Sequence, residues 1–71
     1  MSHNVKDKEL LEWYIKGFDD ELDETSSIVP EGIELTAYNL GRLNAELGDM
    51  VRLVDYMTDE QILELIKEQH K

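Results

Sequence analysis

Apolar residues along this chain recur at intervals of three and four, and strict alternation of polar and apolar positions is not sustained anywhere, so the pattern predicts helices and no strands. A first helix is expected to start near Asn4 or Asp7, either of which can cap exposed amides, with Leu11, Ile15, Phe18 and Leu22 as its core-facing stripe. Leu10, Trp13 and Gly17 project elsewhere. At about 100° per residue, Trp13 lies nearly opposite Leu11 and Ile15.

Serine, proline and glycine cluster between Ser26 and Gly32, and Val29-Pro30-Glu31-Gly32 has the composition of a tight turn. Beyond it, Leu40, Leu43, Leu47, Met50, Val54 and Met57 repeat as a heptad seam, with Ile33 one heptad before Leu40. Val51 and Leu53 widen this seam, which suits a bundle better than a two-stranded coiled coil. The expected long helix runs from about Leu35 to Met57 and buries Leu43 and Leu47.

A sharp third start follows, in which Thr58 caps, Gln61 bonds back and Met57 packs on Ile62. Ile62, Leu63, Leu65 and Ile66 then give an apolar face to a helix too short to stand alone in water, so it must dock on the long one. The expected fold is all-α: a small three-helix bundle made of an N-terminal helix, a connecting loop over 23–33, a long central helix and a short C-terminal helix. Residues 1–71 form a single domain with flexible tails at 1–5 and 69–71.

Ala37, Gly41, Ala45 and Gly48 form a second, small-residue stripe roughly 145° around the central helix from the leucine seam. A glycine inside a helix costs about 1 kcal/mol relative to alanine, so these positions either admit a close neighbour or break the helix. The neighbour is the first helix or a second subunit. In the competing reading, Gly48-Asp49 ends one helix and Asp49 caps the next.

With 71 residues the chain can bury only a thin core, and with no cysteine it has no disulfide to reinforce it, so self-association as a homodimer is the expected supplement. The polar start lacks the apolar run of a signal peptide, which predicts a cytoplasmic protein. A balance of 17 acidic against 7 basic side chains gives a net charge of −10, which disfavours direct binding to nucleic acid or to anionic membranes.

Much of that charge falls in Asp19, Asp20, Glu21, Asp23 and Glu24. Several carboxylates could suit a hard cation, but the spacing of a calcium loop is missing, so a solvated acidic face is the expectation and no metal or other cofactor is implied. Anionic residues at a helix C-terminus oppose the macrodipole, which predicts fraying there.

His3 and His70 lie in the tails, Ser26 and Ser27 lack a nearby base, and Gly41 and Gly48 do not form a phosphate cradle, so no enzyme activity is expected. Arg42 is expected to pair with Glu46, and Arg52 with Asp49 and Asp55. Tyr14, Tyr38 and Tyr56 read as core or core edge, whereas the helical phase of Trp13 favours an interface.

The run Ala37-Tyr38-Asn39-Leu40-Gly41-Arg42-Leu43-Asn44-Ala45, with Gly48-Asp49 after it, resembles helical segments of small accessory proteins carried by tailed phages and prophages. That resemblance implies a cytoplasmic protein acting on host or phage machinery through protein contacts. The residues themselves lead to a protein–protein interaction module, with Trp13, Gly41, Ala45 and Gly48 as contact positions. The alternative is an acidic mimic of nucleic acid that blocks a basic protein through Asp19, Asp20, Glu21, Asp23 and Glu24.

Overall fold

The intervals of three and four resolve into three α-helices, α1 (Val5–Asp23), α2 (Ile33–Leu47) and α3 (Asp59–His70), with no strand among the described residues. The computed structural model describes residues 5–47 and 58–71. Asn4, His3, Gly48, Asp49, Arg52, Tyr56 and the lower half of the heptad seam, Met50 to Met57, lie outside them.

α1 ends where Glu24 enters the left-handed region at φ 58°. The Glu24 amide then donates to the Glu21 carbonyl at 3.3 Å and the Thr25 amide to the Asp20 carbonyl at 2.9 Å, the paired closure of a Schellman motif. The end expected to fray is therefore capped. Its missing cation comes from the next helix: Arg42 donates to the Thr25 carbonyl at 3.1 Å and approaches the Glu21 carboxylate at 3.2 Å. This replaces the expected local pairing of Arg42 with Glu46.

Gly32, at φ 112°, turns the chain into α2, whose first bond runs from the Thr36 amide to the Gly32 carbonyl at 3.2 Å. α3 opens on the anticipated capping box. The Gln61 amide donates to Thr58 Oγ1 at 3.2 Å, and the Thr58 amide donates to Gln61 Oε1 at 2.9 Å.

Leu10, Tyr14, Ala37, Leu40, Ile62, Leu63 and Ile66 form the core cluster, with Leu11, Trp13, Ile33 and Leu65 partly covered against it. On α1 this corrects the expected stripe. Leu10, Tyr14, Gly17 and Phe18 face inward, while Ile15 and Leu22 remain 51% and 52% exposed. On α2 the inward face is Ala37, Tyr38, Leu40, Gly41, Asn44 and Ala45, and the leucine seam divides: Leu40 is buried, Leu43 is 48% exposed and Leu47 69%.

Both corrections have one cause, the close approach of two backbones. A Cβ placed on Gly17 would overlap the Tyr38 carbonyl and lie 3.1 Å from Tyr38 Cα. One placed on Gly41 would overlap the Tyr14 carbonyl and lie 2.9 Å from the Phe18 amide nitrogen. Each helix thus sets its glycine against the main chain of the other, and that requirement fixes how both are rotated.

An antiparallel hairpin would bring Lys6 beside the C-terminal end of α2, yet Lys6 pairs with Glu34 near its start. Beyond the glycines Glu21 pairs with Arg42. The helices therefore cross instead of running side by side, and α3 fills the remaining side, with Lys67 3.5 Å from Asp7 of α1 and His70 Nδ1 3.1 Å from the Thr36 hydroxyl of α2.

Candidate functional site

The densest polar arrangement lies where α1, the 24–32 connection and α2 meet. Asp20, only 2% exposed, accepts the Tyr38 hydroxyl and the Ser27 hydroxyl on Oδ2, each at 2.7 Å, and faces the Lys16 ammonium through Oδ1 at 3.3 Å. The Tyr38 oxygen in turn accepts the Ser27 amide at 3.0 Å and Arg42 at 3.2 Å. A hydroxyl has one donor and two acceptor positions, so Tyr38 is fully used.

These donors hold the Asp20 carboxyl below its ordinary range, with Tyr38 the largest contributor and Ser27 next, against the opposing effect of burial. On the other side of the crossing, burial pushes the Tyr14 hydroxyl up, and the bond it accepts from the Asn44 amide partly offsets this. Among the described residues no buried side-chain nitrogen or oxygen lacks a hydrogen-bond partner. The arrangement reads as a brace that sets the connection and the crossing.

The candidate contact residues separate accordingly. Gly41 is buried against the α1 backbone and Ala45 is buried as well, so at Gly41 it is the first helix, of the two neighbours open to the small-residue stripe, that fills the position. Trp13 lies at the edge of the true core face, half-covered, with its ring edge-on to Tyr38 at a centroid distance of 6.4 Å. Measured from Leu10 and Tyr14, it is flanking and not opposite.

The five acids also part company. Asp20 points inward, which corrects the picture of a uniformly solvated face, and Glu21 is paired with Arg42, while Asp19, Asp23 and Glu24 stay exposed. Among the described residues, no three or more acidic or histidine side chains converge as a metal site would require.

Among the described residues Val5, Ile15, Leu22 and Ile28 are exposed large apolar side chains, and so are Leu43 and Leu47 on the outer edge of α2. Thr36, Asn39, Leu43 and Leu47 follow one another there at helical spacing, and none is charged. Thr36, Asn39, Leu40 and Leu43 bound a shallow groove of about 220 Å³ together with Gln69 of α3, again without a charged side chain. Sequence reasoning had Leu43 and Leu47 in the right register but assigned them to the core. Among the described residues, no helix is long and apolar enough to cross a membrane.

Comparison with protein-family models, with curated proteins and with solved structures returns no match. The fold defines a small all-α module of three described helices.

Proposed function

We propose that the chain is a small protein–protein interaction module that self-associates through the outer edge of α2, in keeping with an accessory or regulatory role. The observation that carries this reading is the uncharged strip with Leu43 and Leu47 exposed, on a molecule of net charge −10. A second copy meets least like-charge repulsion there and covers two leucines by doing so. Two leucines per copy lie at the small end of interface sizes, so the association is reversible and depends on concentration.

The acidic-mimic reading draws less support, because Asp20 is buried against Tyr38 and Ser27 and Glu21 is already paired with Arg42.

Light scattering over a concentration series tests self-association. The wild-type mass should climb toward that of a dimer, and the climb should steepen with added salt as repulsion is screened. The Leu43→Glu/Leu47→Glu variant should keep its helix content and stay monomeric. A wild type that is monomeric at the highest concentration in high salt overturns the reading.

A further inference from the structure

Trp13 has two sides. One meets Tyr38, and the other borders a shallow groove of about 370 Å³ on α1 that is lined by Glu9, Glu12, Trp13 and Lys16. Lys16 also lines the groove and its ammonium pairs with the buried Asp20 at 3.3 Å, so the two glutamates outnumber it there. Neither Glu9 nor Glu12 forms a hydrogen bond or a close ion pair among the described residues, and Glu9 lies within electrostatic reach of Lys6. A partly exposed indole and two carboxylates one turn apart, of which Glu9 also interacts with the Lys6 ammonium, present both terms that favour a cationic side chain, the ring quadrupole and the opposite charge.

We propose that this groove docks a basic amphipathic segment of a partner protein, its Lys or Arg stem lying on Trp13 and its cationic head between Glu9 and Glu12. The net charge of −10 favours such a segment over an acidic one and draws it in from a distance. The groove lies on α1 and the self-association strip on α2, so the two surfaces serve different occupants. The proposal rests on the chain being an interaction module but not on its being a dimer.

Trp13 is the single tryptophan, so its emission reports on the groove without a label. The full chain is titrated with a synthetic amphipathic peptide of leucine and lysine, and separately with its leucine and glutamate counterpart. The basic peptide should shift the emission saturably and the acidic one should not.

Affinity should fall at least about ten-fold in Glu9→Gln/Glu12→Gln, equivalent to about 1.4 kcal/mol, and hold in Glu64→Gln/Glu68→Gln, which removes the same charge from exposed sites on α3. The Leu43→Glu/Leu47→Glu variant should bind as wild type does, which separates this outcome from the fate of the dimer. Binding that leaves the emission unchanged, or equal losses in the two glutamine pairs, overturns the proposal.

Discussion

The hydroxyl of Tyr38 donates to the carboxylate of Asp20 at 2.7 Å, and through that bond the acidic end of α1 is fastened to the middle of α2. The same tyrosine lends its carbonyl to the contact with Gly17 and its ring to Trp13, and it accepts from Ser27 and Arg42. Crossing, connection and helix cap thus meet at one residue.

Tyr38→Phe keeps the ring and removes the oxygen. Asp20 then loses a donor in a buried position, and the Ser27 amide and Arg42 lose an acceptor. A loss of about 1–3 kcal/mol is expected from such stranded groups. It would be read as a lower urea midpoint with unchanged helical circular dichroism, and an unshifted midpoint would show that the network contributes nothing to stability.

Acid should release the same brace. The Asp20 carboxyl titrates below its ordinary value in the folded chain, chiefly because of Tyr38 and then Ser27, so in the acid range the unfolded chain takes up the proton first. The associated stability is complete above the unfolded value, which is about 3.9 for aspartate, and is lost as pH falls through the folded one. Asp20→Asn removes this titration while leaving every other carboxyl in place. The stability advantage of wild type over that variant should be flat between about pH 8 and 6 and shrink toward pH 3. An advantage that grew in acid would contradict the assignment.

Gly41→Ala would raise stability by about 1 kcal/mol on an open helix face. Here the added carbon meets the Tyr14 carbonyl and the Phe18 amide, main-chain atoms that cannot swing aside. The expected result is a net loss of roughly 1–3 kcal/mol, the usual cost of overpacking. Gly17→Ala should behave alike against Tyr38. Thermal unfolding decides between the two signs, and a rise in melting temperature for both variants would show that the helices stand farther apart.

Glu24 occupies the left-handed position of the Schellman closure, where glycine is the usual residue. Glu24→Gly relieves the Cβ clash, worth roughly 1–2 kcal/mol, and takes an anion away from a helix C-terminus. Part of this gain is offset by the greater freedom of glycine in the unfolded chain. A modest increase in the urea midpoint is expected, and a decrease would show that the carboxylate has a partner worth more than the strain.

Local chemistry was legible where neighbours in sequence satisfy one another. Thr58 and Gln61 form their capping box from groups three residues apart, Gly32 turns the chain just before α2, and the intervals of three and four mark all three helices. These features depend on hydrogen bonds and dihedral preferences that are complete within a few residues, so the residue order alone was enough to decide them.

The rotation of α1 and the outer placement of Leu43 and Leu47 were not legible in that way. Periodicity identifies a greasy stripe, but which stripe is buried depends on what the opposing surface allows, and here the glycines let two backbones meet where leucines would have held them apart. Asp20 reads as one acid among five until Tyr38 and Ser27, 18 and 7 positions away, converge on it. The order of residues determined that the chain forms helices and how α3 begins. Only the packed structure decided their faces and the partner of each charge, because burial and long-range hydrogen bonds are properties of surfaces brought together.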